Sequence, residues 1–259
     1  LTETGLLDSV IRRFQPDWVF HLSGISSGDA SQVFGVNVLG AVRLLDAVAL
    51  AAPQAAVLLV GSAAEYGPVA PEALPVGEDH PCRPVGAYGI SKLVATNLAL
   101  EIARRRSLRV VVARPFNIVG AGVPTTLVVG AILDRLRRAL LDGGRPLVRM
   151  GNLDAQRDFI AVEDAVDAYV RLIQCGRWGE VFNICSGKPC PVRRVVEQLL
   201  SYCSTPIELV VDPTLVRHDD VAVIYGDATK AADAIDFQPR ITLSDALLAA
   251  WRDVFGPIC

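Results

Sequence analysis

The chain has 259 residues, 51% of them hydrophobic, and a net charge of −3, which is material for one substantial core or two small ones. That balance speaks against a broad nucleic-acid footprint. No apolar run approaches the roughly 20 residues that cross a bilayer, and the N-terminus lacks the basic-then-apolar order of a signal peptide. The six cysteines (Cys82, Cys175, Cys185, Cys190, Cys203, Cys259) show no C-x-x-C and no histidine at metal-ligand spacing, so reduced thiols, a cytoplasmic chain and no metal are expected.

In chain order, Thr2 to Arg13 reads as a helix, Pro16 breaks it, and Asp17 to Leu22 reads as a strand running into Ser23-Gly24. A long helix is expected over about Ala30 to Ala51, then a short apolar strand from Val57 ending in Gly61-Ser62. An apolar-periodic helix follows from Ala87 to about Glu101, with Arg104-Arg105-Arg106 as its solvated end, and then a strand Arg109 to Arg114 closed by Pro115. Strands alternating with long helices imply right-handed crossovers and a parallel sheet. The helices from Val36 to Ala51 and after Tyr88 are apolar around most of their circumference, so each is expected to be covered on both sides, in part by another subunit.

Beyond Pro115 the rhythm lapses. Helices are expected over Thr126 to Leu141, ending at Gly143-Gly144, and over Val162 to Cys175, Val192 to Tyr202 and Leu243 to Val254. Extended pieces are expected at Asp158 to Ile160, Val181 to Ile184 and Ile207 to Val211.

Two features carry chemistry. Tyr88 and Lys92 stand four apart in a chain with only three lysines, and on a helix that spacing shares one face. An ammonium beside a phenol favours the phenolate and suits it to proton transfer near neutrality; the bland alternative is a surface lysine packed on a ring. Ser62 ends a buried-type strand, where ligands of open α/β sheets bind. There it either bonds the oxygen that Tyr88 protonates or merely caps the next helix. A third feature is missing: no Gly-x-Gly-x-x-Gly or Gly-x-x-Gly-x-x-Gly occurs, although a dinucleotide-binding sheet opens on such a turn. The expectation is that a first βαβ portion, on the order of fifty residues, is absent. The chain is then either N-terminally truncated or one that has lost its cofactor cradle.

Taken together, His21-Leu22-Ser23-Gly24, Asn37-Val38-Leu39-Gly40, Gly61 to Gly67, Tyr88 to Lys92, Arg114-Pro115-Phe116-Asn117 and Arg157-Asp158-Phe159-Ile160 resemble the extended short-chain dehydrogenase/reductase family of NAD-dependent epimerases and dehydratases. Gly151 to Asp158 and Gly226 to Lys230 are similar to its GDP-mannose 4,6-dehydratase and GDP-4-keto-6-deoxymannose reductase branch. The resemblance implies an α/β fold: a Rossmann-like doubly wound parallel sheet, its N-terminal strands missing, with a smaller interleaved C-terminal substrate lobe. Residues 1–117 would be the remainder of the dinucleotide-binding domain and 118–259 mainly the substrate lobe, with segments near 147–184 returning to the sheet.

The resemblance further implies NADP or NAD as cofactor, a GDP-hexose substrate, and a homodimer or homotetramer that contacts neither nucleic acid nor membrane. Tyr88 would be the acid/base, Lys92 would tune it and bind the nicotinamide ribose, and Ser62 would orient the sugar oxygen. Leu22, Ser23, Gly24, Asn37 and Pro115 would line the cofactor with Tyr88 and Lys92. Asn117, Arg157, Arg217 and Asp220 would hold the nucleotide-sugar, the arginines on its diphosphate. For Arg157 the alternative is a salt bridge to a neighbouring helix, and for Arg217 and Asp220 a solvated turn.

Dehydratases of this family place a glutamate two residues after the Ser/Thr as a second acid/base. Here that position is Ala64, and Glu65 is expected to point elsewhere. The implied reaction is therefore reduction of the 4-keto group of a GDP-4-keto-6-deoxy-hexose. Dehydration of GDP-mannose or nucleotide-sugar epimerisation is the alternative, and a catalytically silent fragment or binding paralogue the second.

Overall fold

In two neighbouring strands, alternate residues face two different helical layers. Val57, Leu59, Val110 and Val112 pack into one buried cluster and Leu58, Val111 and Ala113 into another, which is the period of two that a strand covered on both faces imposes. The computed structural model describes residues 5–141, 146–216 and 221–258. Its first sheet is parallel, in the order β1-β2-β3-β7, built from β1 (Trp18–His21), β2 (Ala56–Val60), β3 (Arg109–Pro115) and β7 (Val181–Ile184). The register sets Phe20 beside Leu58, Leu58 beside Val111 and Ala113 beside Phe182.

One face of this sheet carries α1 (Leu6–Phe14), α2 (Ala30–Phe34), a π-helical turn (Gly35–Leu39), α3 (Gly40–Ala51) and α4 (Gly86–Arg106). Leu44, Leu45 and Val48 of α3 and Ala95 and Ala99 of α4 fill the cluster there. Asp29 caps α2 through Gln32 N at 2.8 Å. Against the expectation that no apolar run approaches spanning length, the continuous helix Ala30–Ala51 is long and apolar enough to cross a membrane by length and composition, and half of that window is buried inside the fold. Helix α4 ends as its arginines imply: Arg104 pairs with Glu101 at 2.9 Å, and Arg104 and Arg105 keep 71% and 72% of their side chains in solvent.

The opposite face is covered by α6 (Val162–Cys175), whose Ala168 and Leu172 pack with Phe182, and by α8 (Thr229–Ile235) through Ala231. A second sheet joins β4 (Asn117–Val119), β6 (Gln156–Ala161) and β10 (Val223–Ile224) in parallel, with β8 (Pro189–Pro191) antiparallel on β6. Strand β5 (Leu147–Met150) pairs with β9 (Glu208–Val211). Helices α5 (Val128–Leu141), α7 (Val192–Ser201) and α9 (Leu243–Phe255) enclose a separate core that includes Leu133, Leu136, Val196, Leu247 and Trp251.

Of the segments near 147–184, only α6 and β7 join the first sheet. Strand β6 pairs with β4 instead, and its buried Asp158 carboxylate accepts the amides of Ser186 (2.7 Å), Gly187 (2.9 Å) and Gly226 (3.2 Å) and so gathers the loops after β7 and β10 onto it. The Gly143-Gly144 stop lies outside the described residues.

Candidate active site

Strand β2 empties into Gly61-Ser62, and α4 opens at Gly86, so the two meet at the carboxyl edge of the first sheet. Ser62 caps the short turn Ala63–Glu65: its Oγ accepts Ala64 N at 3.2 Å, and its own amide donates to Glu65 Oε1 at 2.8 Å. The close approach of helix to turn needs Gly89, where a Cβ would lie 2.6 Å from the Ala64 carbonyl oxygen. Through that approach the Ser62 hydroxyl comes near enough to the Tyr88 phenol to favour its ionised form. Ser62 thus acts as a cap, one of the two readings that the sequence offered. Lys92, one turn further along, is buried and donates to the Val60 carbonyl at 2.8 Å.

The electrostatics differ from the sequence expectation. Instead of being lowered, the Tyr88 phenol is raised above its ordinary value, first by burial and further by the Glu65 carboxylate, with the Ser62 bond pulling the other way. Burial lowers Lys92, while Glu65 opposes that lowering. The ammonium is turned to a carbonyl of β2, and burial is the largest influence on Tyr88.

Around Lys92 lie residues from the first two crossovers. A Cβ built on Gly24 would sit 3.2 Å from both Asn37 Oδ1 and Lys92 Nζ. Asn37, buried in the π-helical turn, accepts Ile25 N at 2.9 Å and donates to Ile25 O (3.0 Å) and Ser91 Oγ (2.9 Å), fastening the loop after β1 to α4. Leu22 and Ser23 are exposed at the end of β1, and Pro115 closes β3 opposite Ile184. His21, not singled out by sequence, is buried on β1, and burial and then Lys92 push its pKa down to about 4.

Beneath Ser62, Glu65 is wholly buried. Its Oε2 accepts Arg114 Nε at 3.1 Å and Nη2 at 2.8 Å, and its Oε1 also accepts the Thr96 hydroxyl at 3.1 Å. Burial works against the Arg114 charge, yet Glu65 and Tyr66 outweigh it and hold the guanidinium above its ordinary value. The guanidinium also lies 4.6 Å from the Tyr66 ring centre. Tyr66 in turn donates to Asn183 Oδ1 at 2.7 Å, and burial pushes its phenol up to about 12.

The residues assigned to the sugar are brought together in part. Asn117 donates to the Asp158 carbonyl at 2.8 Å, linking the exit of β3 to β6. Arg157 donates to the carbonyls of Gln156 (2.9 Å) and, at 3.5 Å, Ala222. Arg217 and Asp220 lie outside the described residues. The sequence reading missed Thr96 and Arg114 as parts of this neighbourhood. Arg114 is a charged residue inside a strand whose next two neighbours upstream are buried and apolar, and a charge in that setting signals a buried partner.

Residues 1–185 match the NAD dependent epimerase/dehydratase family. The chain belongs to that family. Among curated relatives it is 32% identical over 243 residues to GDP-6-deoxy-D-mannose reductase of Pseudomonas aeruginosa, covering 92% of this chain and 80% of that one. It is 28% identical over 252 residues to GDP-6-deoxy-D-talose 4-dehydrogenase of Aggregatibacter actinomycetemcomitans, covering 96% and 83%. Among solved structures, RMD from Pseudomonas aeruginosa complexed with NADPH superposes with a TM-score of 0.84 at 32% identity, covering 93% of this chain and 82% of that one.

The cofactor named by the family fits these residues at one end. At Gly24 the backbone is bare beside an amide oxygen and a buried ammonium, a cradle that a side chain would fill. A buried ammonium and amide there suit the hydroxyls of a nicotinamide ribose. The diphosphate end needs a glycine-rich turn, and no such motif occurs in these 259 residues.

Proposed function

We propose that this family member is an NAD(P)-dependent nucleotide-sugar oxidoreductase that reduces the 4-keto group of a GDP-4-keto-6-deoxy-hexose. The observation that carries the reading is the division of labour around Ser62. The Ser62 hydroxyl acts on the Tyr88 phenol, while Glu65 is spent on Arg114 and Ala64 offers no second acid/base. The similarity to a reductase acting on a GDP-6-deoxyhexose supports the substrate class.

Bound reduced nicotinamide supplies the hydride taken up by the carbonyl carbon. Tyr88 gives its phenolic proton to the carbonyl oxygen and recovers one from solvent, and Ser62 donates to that same oxygen. Burial keeps Tyr88 protonated, which is the form a reduction consumes. Lys92 would bind the ribose; Leu22, Ser23, Gly24, Asn37 and Pro115 would line the cofactor. Asn117, Arg157, Arg217 and Asp220 would hold the nucleotide-sugar. A cytoplasmic homodimer or homotetramer fits the exposed apolar residues Leu39, Leu50, Ile90 and Leu98 along the helical face.

Incubation with the nucleotide-sugar in deuterated water separates the reactions. Reduction leaves carbon 5 unlabelled, dehydration labels it, and epimerisation inverts carbon 4 without net consumption of cofactor. Titration with reduced nicotinamide cofactor tests the silent-fragment alternative, which tight binding would remove.

A further inference from the structure

Glu65 sits below the side chains proposed to meet substrate, and its two oxygens serve different partners. Oε1 accepts the Ser62 amide and the Thr96 hydroxyl, and Oε2 accepts two nitrogens of Arg114. These bonds join the end of β2, the middle of α4 and β3. Thr96 lies four residues after Lys92 and eight after Tyr88, along one face of α4. One carboxylate therefore ties the serine and the tyrosine helix to the same point.

Stability alone does not account for such a group. A buried ion pair can commonly be exchanged for apolar side chains of similar volume without loss of stability. An apolar pair could not accept the Ser62 amide. With that amide held by Glu65 and the Ser62 Oγ accepting Ala64 N at 3.2 Å, the serine is fixed on both sides of its Cα–Cβ bond. The carboxylate also presses on bare backbone, since a Cβ on Gly61 would collide with Glu65 Oε1.

We infer that Glu65 is a positioning residue, one that locks Ser62 to the Tyr88 helix while Arg114 neutralises its buried charge. The inference rests on the roles proposed for Ser62 and Tyr88. Glu65→Gln alone would strand the Arg114 charge and could unfold the chain, so two charge-free double variants are compared. Glu65→Gln/Arg114→Met keeps an acceptor for the Ser62 amide and the Thr96 hydroxyl; Glu65→Leu/Arg114→Met does not.

With GDP-4-keto-6-deoxymannose and reduced cofactor, the Gln variant should keep kcat within about threefold of the parent, and the Leu variant should lose about 100-fold in kcat with KM little changed. In the ligand-free proteins, the Ser62 amide should exchange with solvent about tenfold faster in the Leu variant than in the Gln variant. Equal exchange in the two variants, or equal kcat, would overturn the inference. A parent chain that does not turn over this sugar would count against the substrate reading, and amide exchange, which needs no substrate, would still decide the clamp.

Discussion

Lys92 Nζ is 2.8 Å from the Val60 carbonyl oxygen, a bond between α4 and the last residue of β2. It fixes the ammonium at the sheet edge, next to Gly24 and Asn37, instead of on the Tyr88 ring. Lys92→Met should weaken binding of reduced cofactor by about 10-fold to 100-fold, the worth of charge-assisted hydrogen bonds. Arginine should not rescue it, because a planar fork cannot replace a compact ammonium in a buried slot. Fluorescence titration with NADPH and NADH reads both variants.

Tyr88→Phe should lower kcat by about 10²-fold to 10⁴-fold, the span of general acid catalysis, while cofactor affinity stays. Because the phenol is raised, the reductive rate should be level through neutrality and fall only on the alkaline side of the ordinary tyrosine range. A kcat against pH profile that falls already near pH 7 would disagree.

Arg114→Met strands the Glu65 carboxylate in a wholly buried position. The expected cost is about 3–5 kcal/mol, as for other broken buried pairs. Urea midpoints should show the double variant with Glu65→Leu recovering much of that loss.

Gly89→Ala puts a methyl group 2.6 Å from the Ala64 oxygen. Overpacking of this kind costs about 1–3 kcal/mol. Here it should also part Tyr88 from Ser62, so kcat should fall by more than the loss of stability accounts for. Steady-state kinetics beside thermal unfolding would separate the two effects.

His21 has its folded pKa depressed from 6.5 to about 4. A depressed pKa means that the unfolded chain binds the proton more readily, so the stability linked to His21 is present above pH 6.5 and lost as pH falls through about 4. Its size is about 3 kcal/mol at 1.36 kcal/mol per unit. His21→Gln should flatten the acid limb of stability against pH, measured by urea unfolding between those values.

Much of the fold was legible because its helices are long enough to show periodicity and its central strands are unbroken runs such as Val57 to Val60. The short elements were not. Strands β8 and β10 have three and two residues, less than a pattern needs, and α8 carries only seven. The Ser62, Tyr88 and Lys92 constellation was readable from spacing and resemblance. The direction of the Tyr88 shift was not, since it is set first by burial and further raised by Glu65, a residue outside the Tyr88 helix. Proximity in sequence suggested that Lys92 would act on Tyr88; burial, which sequence does not display, acts more strongly.

The most direct test mixes the protein with GDP-4-keto-6-deoxymannose and reduced nicotinamide cofactor and follows cofactor absorbance, with Tyr88→Phe as control. Stoichiometric oxidation of cofactor and formation of a GDP-6-deoxyhexose, both abolished in the control, is the predicted result. Tight cofactor binding with no oxidation, or oxidation undiminished in Tyr88→Phe, would contradict the assignment of Tyr88 as the proton donor of a nucleotide-sugar reductase.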